Sequence, residues 1–219
     1  MVKNLIIFGC GGHAKVIVDI IEHLPHFRVL GMIDDSPNRF SRFQGYPVLG
    51  DTSSIKSIKD PVDGGVIAIG ENWTRRKVAE EIKKFDPDFN FVTIIHPTAY
   101  ISPRCQIGEG SVVMAGGIVN SDVILGRHCI VNTLGSVAHD CMMGDFSSVG
   151  PGTHLGGNVI VGGNSAIALG ARVLHGVTIG DHTVIGAGAT VTKDFGDCIV
   201  AYGSPAKFVR FREKEEPFL

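Results

Sequence analysis

Three observations predict a two-domain α/β plus parallel β-helix architecture for this 219-residue chain. A glycine-rich turn joins a short apolar strand to a helical pattern near residue 10. An aliphatic residue recurs at every sixth position through the latter half. Glycine is abundant at 29 residues against 12 Phe, 3 Tyr and 1 Trp, a balance that suits many tight turns around a slim core.

The first domain, residues 1–95, reads as alternating strands and helices. Leu5-Ile6-Ile7-Phe8 is an apolar strand, followed by Gly9-Cys10-Gly11-Gly12-His13-Ala14 and a helix with Val16, Ile17, Ile20 and Ile21 on one face. Val29-Leu30-Gly31-Met32-Ile33 is a second strand ending in Asp34-Asp35, and Gly65 to Gly70 a third. A helix rich in Arg, Lys and Glu spans residues 72–85, and a fourth strand spans 91–95. Alternating β and α units imply a small parallel sheet. The glycine-rich turn at a helix N-terminus offers backbone N–H groups to phosphate oxygens, and an acidic residue about 20 positions on suits a ribose hydroxyl. A nicotinamide oxidoreductase would use the same motif, but about four strands provide no second mononucleotide half; a nucleotide sugar fits a single unit better.

The second domain, residues 96–219, begins with the repeat. Sixteen sixth positions in succession, from Ile101 through Met143 to Val191, are aliphatic or Met. The slot four residues later is small or slim, as in Cys105, Ser111, Gly117, Cys129, Cys141 and Ser165. Glycine often follows the aliphatic position, as in Gly108, Gly126, Gly144 and Gly162, where a corner is expected to need permissive φ. Six residues per face and three faces per turn give a triangular prism whose coils stack at about 4.8 Å. A helical period cannot generate this pattern.

Composition narrows the partners. The formal net charge of -2 gives no broad nucleic-acid footprint. No apolar run approaches the roughly 20 residues of a membrane span, and the start shows no signal-peptide pattern. The five cysteines contain no CxxC pair, so a disulfide framework is not expected, and a cytoplasmic setting is. Cys105, Cys129 and Cys141 fall in the inward slot, where packing explains them better than nucleophilic chemistry.

With both domains placed, the chain resembles the bacterial sugar O-acyltransferase family, which includes sialic acid O-acetyltransferases and UDP-4-amino-sugar N-acetyltransferases. The likeness is carried by Gly9-Cys10-Gly11-Gly12-His13, Ile33-Asp34-Asp35, Ala68-Ile69-Gly70, Ala138-His139-Asp140-Cys141 and Gly203-Ser204-Pro205-Ala206-Lys207. The resemblance implies a Rossmann-like first domain, a left-handed β-helix, a homotrimer with sites between subunits, and acetyl-coenzyme A as co-substrate without a metal. It assigns Gly11, Gly12, His13, Asp34, Asp35 and Gly70 to the nucleotide sugar. It makes His139 the general base, with Asp140 strengthening it, and places Ser148, Gly157, Leu169 and Ala187 along the coenzyme A groove. Many relatives carry histidine where this chain has Ser148, whose hydroxyl still donates a hydrogen bond at shorter reach.

The residues support that chemistry independently. His139 stands two positions after inward Val137 and so faces outward, and an imidazole suits removal of a proton from an attacking amine or hydroxyl. For His13 the alternative is a polar residue at a helix start, and for Asp34-Asp35 a strand end that opens a turn. The Glu213-Lys214-Glu215-Glu216 run reads as a solvated tail. A zinc site of the γ carbonic anhydrase kind would need a third histidine five residues beyond His175, where Gly180 stands. The expected activity is N-acetylation of the 4-amino group of a nucleotide-linked deoxy sugar. O-acetylation of a sialic acid-type sugar and a non-catalytic nucleotide-sugar-binding trimer are the alternatives.

Overall fold

A computed structural model describes residues 2–36 and 41–218. In the first domain β1 (Lys3–Phe8), α1 (Gly12–Glu22), β2 (Phe27–Ile33), β3 (Arg42–Phe43), β4 (Tyr46–Gly50), a 3₁₀ turn (Thr52–Ser57), β5 (Gly64–Ile67) and α2 (Asn72–Phe85) follow in order. The sheet order is β3-β4-β2-β1-β5. The strands β4, β2, β1 and β5 run parallel, and β3 closes the edge antiparallel to β4. The inner strand β1 is apolar and buried from Leu5 to Phe8, as a parallel strand covered on both faces should be.

Three local expectations change. The buried face of α1 is Ala14, Ile17, Val18, Ile20 and Ile21, while Val16 points away from that core. The stretch 91–95 divides: Phe91 bridges Gly65 in the first domain, whereas Ile94–Ile95 pairs with Val112–Val113 of the repeat. The β3–β4 hairpin was not foreseen, because Arg42–Phe43 is too short to show a period. Its turn residues Gln44 and Gly45 both have positive φ, as a type I′ turn requires.

From Ile94 onward, two-residue rungs repeat every six residues and stack into three parallel sheets. One face carries Ile94–Ile95, Val112–Val113, Ile130–Val131, Ser148–Val149, Ala166–Ile167 and Val184–Ile185, and ends on Ile199–Gly203 and Ala206–Phe211. The second face runs from Tyr100–Ile101 to Thr190–Val191, the third from Gln106–Ile107 to Thr178–Ile179. Each rung pairs with the one 18 residues on, as in Ile130↔Ser148 and Ser148↔Ala166. The inward aliphatic residues fill the interior, with Val113, Val131, Val149 and Ile185 fully enclosed.

The corner glycines act differently from expectation. From Ile107 to Ile185, positive φ falls three residues after the inward aliphatic, at residues such as Asp122, Leu134, Phe146 and Gly170, and not at the glycines that directly follow it. Those glycines are required by stacking. A Cβ on Gly126, Gly144 or Gly162 would lie 2.7, 2.6 or 2.5 Å from a backbone nitrogen of the next coil. The slim inward slot has a second purpose as well. Ser111 Oγ donates to Gly126 O (2.9 Å), Ser165 Oγ to Gly180 O (2.6 Å) and Thr183 Oγ1 to Gly196 O (2.7 Å), so small polar side chains satisfy corner carbonyls inside the prism.

Arg75 of α2 locks the two domains together. It is 1% exposed, and its five N–H groups reach Ile69 O, Gly70 O and Asn72 Oδ1 on its own side and His128 O and Phe146 O on the prism. Asn72 Nδ2 adds a donor to Ser165 O at 3.0 Å. Aromatic rings fill the rest of the seam: His128 stacks on Phe146 with ring centroids 4.8 Å apart and meets Phe91 edge-on at 4.6 Å. Among the described residues no helix is long and apolar enough to cross a membrane.

Stacking and backbone conformation separate in a pair of substitutions. Gly170→Ala places a Cβ in open space at φ +68 and should cost about 1 kcal/mol. Gly144→Ala forces two coils apart and should lie near the upper end of the about 1–3 kcal/mol of overpacking, read by urea unfolding. Equal losses would contradict the stacking role.

Candidate active site

A hollow of about 550 Å³ lies between α1 and the first prism face. Gly12, His13 and Val16 line it from α1, Gly70 from the segment after β5, and Ile130, Ser148, Ala166 and Leu169 from successive coils. The turn feeding α1 is shaped for a ligand. Gly9 has φ +105 and sits against Ile69, whereas a Cβ on Gly11 or Gly12 would meet nothing within 4 Å among the described residues. Packing within the chain therefore does not demand glycine at 11 and 12. Among the described residues no side chain caps α1, so its first N–H groups carry no side-chain acceptor.

His13 is the polar centre of this cavity. Its Nε2 is sealed from solvent and has no hydrogen-bond partner among the described residues. Burial, reinforced by the Arg75 charge, pushes its pKa down to about 4, so the ring is neutral at physiological pH. A neutral imidazole offers one donor or one acceptor at that nitrogen.

The acidic pair Asp34-Asp35 lies elsewhere. It lines a separate hollow of about 280 Å³ with Phe8, Gly9, Thr52, Ile69 and Thr74. Asp34 Oδ2 accepts from Cys10 N at 2.6 Å and its Oδ1 from Ser36 N at 2.9 Å, which holds the glycine-rich turn against the end of β2. Asp35 accepts from Thr52 N and Thr52 Oγ1. The two hollows flank the same backbone, with Gly9 and Ile69 on one side and Gly12 and Gly70 on the other.

His139 and Asp140 occupy a third position. They form the corner between the second and third faces, which is the prism edge opposite the face bearing Ser148. His139 Nδ1 lies 2.6 Å from Asp140 Oδ2, and since a carboxylate only accepts, Nδ1 carries the proton and Nε2 presents its lone pair. Both side chains are more than half exposed, so the pair orients the ring and adds little to stability. Asp140 reaches back because its φ is +59. Gly157, one coil further, underlies the ring: a Cβ there would come within 2.5 Å of His139 Cε1. Gly157 thus belongs to the His139 edge, while Ser148, Leu169 and Ala187 share the cavity. Ser148 is 8% exposed.

Several lining residues escaped the sequence reading. Ile130 and Ala166 stand one coil either side of Ser148, and Pro151 one coil before Leu169, so a step of 18 from either residue finds them. Val16 and Phe218 carry no such signal. Among the described residues no group of three or more His, Cys, Asp or Glu side chains is placed to hold a metal ion.

The known proteins that share this arrangement point one way. A family model described as the PglD N-terminal domain matches residues 4–82. PerB from Caulobacter crescentus, solved with CoA and GDP-perosamine, is 36% identical and superposes with a TM-score of 0.87 over 96% of this chain and 99% of its own. The chain belongs to the PerB family of sugar acetyltransferases. Another member, the acetyltransferase domain of PglB from Neisseria gonorrhoeae FA1090 in complex with acetyl coenzyme A, is 33% identical with a TM-score of 0.88, covering 95% of this chain and 100% of that domain. The UDP-N-acetylbacillosamine N-acetyltransferase of Bacillus subtilis (strain 168) is 34% identical over 117 residues; the match spans about half of each chain, 52% in both cases.

The buried imidazoles of this PerB relative make its stability acid-sensitive. His13 and His128 have pKa values held down to about 4 and about 3, against 6.5 in an unfolded chain. Below pH 6.5 the unfolded chain takes up protons that the folded one refuses, so stability falls as pH falls. Between pH 7 and 5 each should contribute a loss of about 2 kcal/mol, measurable by urea unfolding at the two pH values. An unchanged unfolding free energy would overturn the assignment.

Proposed function

We propose that this protein transfers acetyl from acetyl-coenzyme A to the 4-amino group of a nucleotide-linked deoxy sugar. One observation carries the reading: a single cavity is lined both by the glycine-rich turn, through Gly12, His13 and Gly70, and by prism residues Ser148, Leu169 and Ala187. The smaller hollow at Asp34 and Asp35 suits the nucleoside, the turn between the hollows suits the diphosphate, and the sugar then reaches the larger cavity. The Caulobacter relative, in complex with both CoA and GDP-perosamine, supports a pairing of these two substrate classes. The first domain is then Rossmann-like in use as well as in strand order, and the prism is left-handed as the family resemblance implies.

The catalytic pair needs a second copy of the chain. His139 stands on the edge opposite the cavity, so a homotrimer that sets one subunit's edge against the next subunit's cavity completes each site. Outward-facing Ile124, Met142 and Ile160 support such packing; they stack rung on rung beside that edge and are 40%, 48% and 44% exposed.

Transfer proceeds directly. The amine lone pair attacks the thioester carbonyl and forms the C–N bond, leaving positive charge on nitrogen. His139 Nε2 accepts a proton from that nitrogen while Asp140 holds Nδ1. Collapse of the tetrahedral intermediate breaks the C–S bond, and the departing thiolate recovers the proton from the imidazolium. The Ser148 hydroxyl, which lines the same cavity, donates to the acetyl oxygen in this reading.

Thiol release from acetyl-coenzyme A is the direct test, with UDP-, GDP- and dTDP-linked 4-amino sugars and free sialic acid as acceptors. Turnover with an amino sugar is expected. In His139→Ala, kcat should fall by about 10²–10⁴ while KM for both substrates changes little. Turnover with sialic acid alone would replace the proposal with O-acetylation, and no turnover with any acceptor would overturn it.

A further inference from the structure

The stretch Arg212-Glu213-Lys214-Glu215-Glu216-Pro217-Phe218 looks like a charged tail in sequence, yet it is anchored and folded back. Arg212 is 7% exposed, with its backbone N–H bonded to Cys198 O at 2.9 Å and Nη1 to His182 O at 2.8 Å. Its other guanidinium nitrogen meets Glu216 O, and the Glu216 carboxylate pairs with Arg210. Glu216 N donates to Glu213 O at 3.2 Å, which closes a turn. These contacts reverse the segment and deliver Phe218 into the large cavity, where it joins Leu169, Ala187 and Val16.

The anchor fixes which end of the cavity Phe218 closes. His182 and Ala187 lie in the same coil, the last one to contribute to the lining, whereas Gly12 and His13 enter from α1 at the opposite boundary. The cavity that Phe218 enters is lined mostly by apolar groups, Leu169, Ala187 and Val16 among them. It fits a thin, flexible, largely aliphatic chain better than a hydroxylated sugar ring. We propose that Phe218 is a contact for the pantetheine arm of the acyl donor, with the Arg212-anchored segment forming one wall of the donor channel. This inference rests on the acetyltransferase reading and assigns one of its two substrates to a residue outside the hexad repeat.

Calorimetric binding of CoA without acceptor tests the contact separately from turnover, in wild type, Phe218→Ala and Phe218→Leu. The alanine variant should weaken CoA about tenfold and raise KM for acetyl-coenzyme A alike, while the leucine variant keeps most of the affinity. KM for the amino sugar and the thermal midpoint should stay at wild-type values. Unchanged CoA affinity in Phe218→Ala would overturn the proposal, and so would a rise in acceptor KM alone, which would place the ring against the sugar. If wild type binds CoA but turns over no acceptor, the acceptor assignment fails and the Phe218 contact still stands or falls on its own titration. Failure of wild type to bind CoA would overturn both.

Discussion

Everything functional in this protein depends on how one buried guanidinium joins two differently built domains. Among the described residues Arg75 has no carboxylate partner at hydrogen-bond distance; its five N–H groups are instead satisfied by four main-chain carbonyls and the Asn72 amide. Neutral acceptors hold a charge less strongly than a carboxylate would, and burial brings the Arg75 pKa down to about 10. The arrangement tolerates this because a planar fork can serve both sides of a seam at fixed angles. Ile69 and Gly70 are held from one side, His128 and Phe146 from the other, and Gly70 also lines the cavity. The same charge also helps keep the His13 ring neutral.

The prism provides the opposite kind of order. No single contact defines it; a coil-to-coil constraint is repeated until it becomes rigid. Inward aliphatics fill the axis, small polar residues in the next slot satisfy corner carbonyls, and glycine appears wherever adjacent backbones come closest. Polar groups that would be costly inside an apolar core thereby become part of the stacking. Such a scaffold sets side chains on its edges within narrow limits, as with the His139 ring over Gly157.

That contrast explains what was legible in the sequence. A six-residue period announces itself because each coil repeats the same demand, so the prism and its inward residues could be read directly. The reason for the corner glycines could not, since φ and inter-coil distance are three-dimensional quantities that select the same residue. Arg75 was hidden for a related cause. It sits in Thr74-Arg75-Arg76-Lys77, where two adjacent arginines look alike, yet one is enclosed and the other pairs with Glu80 on the surface. Asp34 was noticed for its position after a strand, but sequence could not reveal that the Cys10 amide already occupies one of its oxygens. Phe218 was invisible altogether, because its place depends on Arg212 reaching a coil thirty residues earlier in the chain.

The division of labour also accounts for where each proton-handling group sits. His13, enclosed and neutral, is unsuited to carrying a proton at physiological pH. His139 is solvent-accessible in the single chain, oriented by Asp140, and free at Nε2, which are the properties a base needs before its site is closed. With the His13 imidazole enclosed within the chain and the His139 imidazole on an opposite edge, the proposed transfer depends on assembly. Under that proposal the cavity of one subunit holds the substrates, and the proton leaves only when a neighbour's His139 edge arrives.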